Sequence, residues 1–166
     1  MLIRQDKGFS AMEMMVVLAV IAILAAMSIP SFTGRIIREH IVTAIPLADI
    51  AKEPIAAYWK LTQTLPADNT ETGLPVPEKI VSNMISSLVV EQGVINMTFG
   101  NNSNKLLRGK ILSIRPAVIE DSPVVPVAWV CGNAAVPDKM VVKGGNKTNI
   151  EDIYLPHGCR NTQAAK

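Results

Sequence analysis

From Met14 to Gly34 the chain runs for 21 residues without a charged side chain, and between Met14 and Ile29 its only polar residue is Ser28. Wound as a helix at 1.5 Å per residue, such a run spans roughly 31 Å, which matches the ~30 Å hydrocarbon core of a bilayer. The segment can therefore cross a membrane. Apolar residues make up 49% of the 166-residue chain but aromatics only 4%, so the excess sits in this run rather than in an aromatic-rich core. That length allows one globular unit with one extension and argues against a two-domain enzyme. Sixteen basic against fourteen acidic residues leave a net charge of +2, so no overall field points to nucleic acid or a membrane surface. Arg4 and Lys7 precede the span and Arg35 and Arg38 follow it, with Asp6 diluting the first pair, so charge orients it only weakly.

Glu13 stands at the front of the run. An ionised acid in hydrocarbon without a partner costs ~2.5 to 3.5 kcal/mol on insertion scales, which makes such a residue functional by default. Three readings of the N-terminus compete: a cleaved secretory signal, an uncleaved signal anchor, and a short leader whose apolar segment is retained. Ala26-Met27-Ser28 offers a small-residue cut that would leave Ile29-Pro30 as the new start, but an ordinary signal has no use for Glu13. The run Lys7-Gly8-Phe9-Ser10-Ala11-Met12-Glu13 resembles the processing site of bacterial type IV prepilins. It has a short charged leader ending in Gly8, then Phe9, then a glutamate at the fifth mature position, then an unbroken apolar helix. Gly8, lacking a side chain, suits a protease cleft that approaches the backbone closely.

The resemblance implies cleavage after Gly8 by a membrane aspartic prepilin peptidase, which also methylates the new amine of Phe9. It divides the chain into a leader at 1–8, the hydrophobic transmembrane and assembly half of the N-terminal helix at 9–34, and a globular pilin domain at 35–166 that includes the amphipathic half of that helix. Cleavage puts an ammonium on Phe9 four residues ahead of Glu13. Neither charge is easily buried alone. In a bundle of identical helices, one subunit's ammonium neutralises the next subunit's carboxylate, and a mispaired register leaves a charge uncompensated. Head-to-tail contact repeated without closure makes a helical filament. The competing reading leaves Glu13 merely at the membrane interface. Pro30 removes a backbone donor and crowds the preceding turn, so a kink or soft segment is expected where the family usually carries a proline; the alternative is a helix that stops at Ile29. Phe9, Glu13 and Pro30 are thus the candidate assembly residues.

Beyond Pro30, Ile37, Ile41, Ala44, Ala48, Ala51, Ile55 and Tyr58 recur at spacings of three and four, the stripe of an amphipathic helix ending near Leu61 to Leu65. Pro46 and Pro54 leave its continuity open. From Thr64 to Gln92 the pattern predicts a loop and then one helix over Ile80 to Val90. Alternation of Ile95, Met97 and Phe99 with Asn96 and Thr98 predicts a strand, and Lys110 to Arg115 and Val124 to Cys131 predict two more, separated by Pro116 and Pro123. The resemblance extends here through Gly93 to Phe99, Gly109-Lys110, Trp129-Val130-Cys131 and Tyr154-Leu155-Pro156 ahead of Cys159-Arg160. It implies an α+β pilin fold, in which a long N-terminal α-helix packs against a small antiparallel β-sheet with a disulfide-closed C-terminal loop.

Cys131 and Cys159, both downstream of an export segment, read as a disulfide, and in the pilin family such a loop is the exposed D-region. No His and carboxylate cluster accompanies them, so free reactive thiols or half a metal site have no support, and no metal or cofactor is expected. His40 and His157 lack a nucleophile motif. Asp49 and Glu53, four apart on one helix face, suit a solvated charged face better than paired-carboxylate catalysis. No phosphate loop or dinucleotide fingerprint occurs, and the glycosylation sequons at Asn96, Asn101 and Asn146 are short enough to arise by chance. The chain is not read as an enzyme. Lys139, Lys143, Lys147 and Arg160 form a candidate DNA-phosphate set, weakened by the interleaved Asp138, Glu151 and Asp152 and by the absence of stacking aromatics.

The reading is a subunit of a type IV pilus, made at the inner membrane and polymerised with itself and other pilins into a surface fibre for twitching motility, adhesion or DNA uptake. The resemblance implies the prepilin peptidase, an inner-membrane platform with its ATPase, and an outer-membrane secretin as partners, with DNA or a host surface as further ones. Two alternatives stay open, a low-abundance minor pilin that binds DNA or primes assembly, and a type II secretion pseudopilin, against which the cysteine pair argues. An anchored periplasmic enzyme is the rival from another class.

Overall fold

The computed structural model describes residues 8–161, and of residues 28–31 the backbone alone. The chain divides into two units, residues 1–35 and 36–166. Helix α1, Ala11–Ala44, passes through position 30 as helix and does not stop at Ile29. Pro46 falls in a 3-10 turn, Ile45–Ala48, where the missing amide hydrogen is no loss so near a helix start, and α2 then runs over Asp49–Thr62 with Pro54 inside it. Gln63, in the left-handed region at φ 57°, closes α2 by donating its amide to the Trp59 carbonyl.

Within the second unit, strands β1 (Ile85–Glu91), β2 (Val94–Phe99), β3 (Ile111–Val118) and β4 (Ala128–Cys131) form an antiparallel sheet in that order, and the short β5 (Val141–Val142) pairs with β3. The helical stripe packs on it. Ile37, Ile41, Ala44, Ala48, Ala51 and Ile55 are all buried against Ile85, Leu88, Ile95, Met97, Phe99, Leu112 and Ile114. The last step of the stripe is corrected: Trp59 is buried and Tyr58 is only half-buried, because a four-residue step from Ile55 keeps closer to the core-facing line.

Residues 80–90 are not helical. Ile85 and Leu88, three apart, both face the core because the register shifts between Ile85 and Ser87, and this bulge turns a period of two into an apparent helical spacing. Strand β3 does not end before Pro116 but runs on through it to Val118. The Pro116 carbonyl accepts the Lys143 amide, and its missing N–H faces the same edge, in the gap between the last β2 pair (Ile95 with Ile114) and the β5 pair (Ala117 with Val142). The strand expected from Val124 begins only at Ala128, after Pro126.

Asn69, in the segment with least sequence pattern, is buried and closes the outer edge of β1. Its Oδ1 accepts the Val90 amide at 2.7 Å, and its Nδ2 donates to the carbonyls of Leu88 and Pro75, each at 3.1 Å. A side-chain amide thus stands in for the backbone of a further strand, which satisfies an edge that would otherwise offer itself for pairing. The β1–β2 turn is fastened to the same segment, since Gln92 and Gly93 donate their amides to Ala67 and Pro66.

Candidate functional site

Helix α1 begins at Ala11 because its first turn is capped from both sides. The Glu13 amide donates to Ser10 Oγ at 3.2 Å, and the Ser10 amide donates to Glu13 Oε2 at 2.8 Å. This reciprocal box satisfies two backbone donors that a helix start leaves open and sets the carboxylate at the positive end of the helix dipole. A reading of Glu13 from its charge alone overlooks Ser10, although Ser followed three residues later by Glu is itself a cap signature. Among the described residues no cation pairs with Glu13. Gly8 and Phe9, the expected processing pair, are exposed, and residues 1–7 of the expected leader lie outside the described residues.

Every side chain from Phe9 to Met27 is exposed, including Met12, Met15, Val16, Leu18, Ile21, Ile23 and Leu24. A continuous apolar helix surface of this extent needs hydrocarbon or other helices around it. The first unit thus offers an apolar rod tipped by one carboxylate. Position 30 is helical in backbone, and its side chain lies outside the description.

The second candidate region is closed by the disulfide between Cys131, at the end of β4, and Cys159, in the 3-10 turn His157–Cys159. The four cations proposed for DNA do not form a shared free set. Lys143 pairs with Glu120, Lys147 pairs with Glu91, and Arg160 donates to the carbonyls of Leu155 and Ile153; only Lys139 is exposed without a bond among the described residues. The charges of Lys143 and Lys147 are met by carboxylates, whereas Arg160 meets only carbonyl oxygens.

The remaining candidates have structural partners. His40 Nδ1 accepts the Asn104 amide at 3.1 Å, tying α1 to the turn after β2, while His157 is exposed. Asp49 binds Lys52 at 2.7 Å and Glu53 is exposed, as on a solvated face. Asn96 is buried, with its Oδ1 accepting from Ser113 Oγ and its Nδ2 donating to Glu91. Asn101 and Asn146 donate their side-chain amides to backbone carbonyls. Burial pushes the Arg115 guanidinium below its ordinary value; it donates to the Gly132 carbonyl at 3.1 Å. Among the described residues no group of three His, Cys, Asp or Glu side chains is placed to hold a metal.

Comparison with known proteins fits this arrangement. A family model described as pilin, a bacterial filament, matches residues 40–160. The chain is 32% identical to the type IV major pilin protein PilE of Neisseria gonorrhoeae over 162 residues, covering 94% of this chain and 95% of that protein. It is 29% identical to a fimbrial protein of Neisseria meningitidis serogroup B over 169 residues, with 96% and 97% covered, and 29% identical to fimbrial protein EcpC of Eikenella corrodens over 164 residues, with 97% and 95% covered. With the exposed apolar helix, the helix-backed antiparallel sheet and the C-terminal disulfide in place, the chain belongs to the type IV pilin family, as a structural protein and not an enzyme.

Proposed function

We propose that this chain is a filament-forming pilus subunit, cut between Gly8 and Phe9 and polymerised through its N-terminal helix. The observation that carries this reading is an apolar helix exposed along every side chain from 9 to 27, with a single carboxylate at its first turn. Before assembly the bilayer covers that surface; afterwards neighbouring helices do. The methylated ammonium of Phe9 from one subunit meets Glu13 of the next, and the demand that both buried charges be matched selects one stagger. Pro30 would supply local adaptability between the membrane-spanning half, 9–34, and the globular part, 35–166.

Processing then needs the prepilin peptidase, and extrusion needs an inner-membrane platform with its ATPase and an outer-membrane secretin. The relatives' description as major pilins and fimbrial proteins supports a filament-forming rank over that of a trace subunit, with motility, adhesion or DNA uptake as the output. Replacing Glu13 tests the charge pairing. Glu13→Ala is expected to insert in the inner membrane at normal levels yet yield few or no sheared filaments, and normal filaments from that variant would refute the pairing.

A further inference from the structure

Two guanidinium groups converge on one backbone carbonyl. Arg38, on α1, donates from Nη2 to the Ile153 oxygen at 3.0 Å, and Arg160, next to the disulfide, donates from Nη2 to the same oxygen at 3.1 Å. The two Nη2 atoms are therefore close enough for one tetrahedral oxyanion to reach both. Neither arginine forms an ion pair among the described residues, where all three such pairs use lysine. Arg160 Nε is engaged with the Leu155 carbonyl, whereas Arg38 Nε is buried without a partner. A carbonyl carries only partial negative charge, so two full positive charges are gathered here without neutralisation. Each guanidinium keeps donors in a planar fork that matches phosphate oxygens.

The position in the chain narrows the source of such an anion. Arg38 stands four residues after Gly34, the last residue of the uncharged run, which is about 6 Å further along a helix. We propose that Arg38 and Arg160 together bind a phosphate group, supplied in the membrane-held subunit by the headgroup of an anionic phospholipid. The choice of a lipid source rests on the proposal that the hydrophobic half of the helix, 9–34, spans the bilayer. There the pair anchors the start of the globular part at headgroup depth, and the anchor must be released when the subunit leaves the membrane. Inorganic phosphate presents the same oxygens, so the pair itself is testable without a bilayer.

The full-length chain in micelles doped with equal phosphatidylglycerol and phosphatidylcholine is examined by native mass spectrometry for retained lipid. In parallel, the arginine Nε–H resonances are followed by NMR during titration with glycerol phosphate and with inorganic phosphate. Preferential retention of phosphatidylglycerol is expected, with at least a ~10-fold loss in Arg38→Gln and in Arg160→Gln, since each removes charge-assisted hydrogen bonds. Arg35→Gln removes the same charge outside the pair and should retain lipid within twofold of the unaltered chain. Arg38→Lys preserves charge but not the fork, and its loss of retention with an intact disulfide and unchanged amide protection in β2 separates binding from folding. Shifts of the Arg38 and Arg160 resonances with both phosphates but no lipid preference would support the pair as a site for free phosphate and overturn the lipid source. Equal retention in Arg38→Gln and Arg35→Gln, with no resonance shift, would overturn the site. Failure of every version, reconstituted in parallel into phosphatidylglycerol and phosphatidylcholine vesicles, to resist carbonate extraction would count against the membrane-spanning reading alone, because the phosphate titration still decides the pair.

Discussion

Replacing Asn69 with alanine removes three hydrogen bonds at once, to the Val90 amide and to the Leu88 and Pro75 carbonyls. At ~1 kcal/mol net for each bond the loss is ~3 kcal/mol, and the Val90 donor left unpaired on a buried edge raises it toward ~4 to 5 kcal/mol. The change exposes no charge and deletes little apolar volume, so hydrogen bonding dominates. Urea unfolding of the full chain in micelles, followed by tryptophan fluorescence, reads the global effect, and hydrogen exchange at the Val90 amide reads the local one. Since each 1.4 kcal/mol is tenfold, Val90 protection should fall by roughly 100-fold or more. Asn69→Asp separates the donor and acceptor roles. It keeps an oxygen for the Val90 amide but turns a second oxygen toward two carbonyls, so it should be no more stable than the alanine variant. An alanine variant that unfolds with the unaltered chain and keeps Val90 protected would refute the view that this side chain seals the edge of β1.

Loss of the disulfide in a Cys131→Ser, Cys159→Ser double variant, which opens a connection spanning 28 residues, should cost about 3 to 4 kcal/mol in the chain-entropy picture, read as a lowered urea midpoint. Gly144 adopts φ +77° and a Cβ there would lie 2.2 Å from Val94 Cγ2, so Gly144→Ala should destabilise by about 1 to 3 kcal/mol on the same assay. Arg115→Met should stay within about 1 kcal/mol of the unaltered chain, because the Gly132 carbonyl keeps its bond from Asn146 and a partly buried guanidinium is removed. With Lys143 and Lys147 each paired to a carboxylate, DNA retention by the full chain should be weak; retention that falls steeply with salt and is lost in Lys143→Gln and Lys147→Gln would revive those lysines as a phosphate-binding surface.

The features legible in sequence were those carried by short-range pattern. The stripe from Ile37 to Ile55 and the alternating strand at Val94–Phe99 each follow from residues a few positions apart. Pattern and structure part where a local irregularity imitates another period or where tertiary context supplies what the sequence withholds. The bulge near Ser86 gave β1 a helical spacing, and Pro116 is tolerated because its missing donor falls in a gap between two paired strands. Ser10 was readable through its spacing to Glu13. Asn69 was not, since its partners on β1 lie 19 and 21 residues away, and nothing in the chain's order announces that Lys143 meets Glu120 or that Arg38 and Arg160 share one carbonyl.

The central claim is that residues 1–8 are removed and the remaining chain polymerises through its apolar helix. Mass spectrometry of filaments sheared from the native cell tests it most directly, by reading the N-terminus of this chain and its abundance relative to other subunits. The account predicts an abundant chain that begins at a methylated Phe9. Absence of this chain from filaments, with residues 1–8 retained in the membrane fraction, would contradict it.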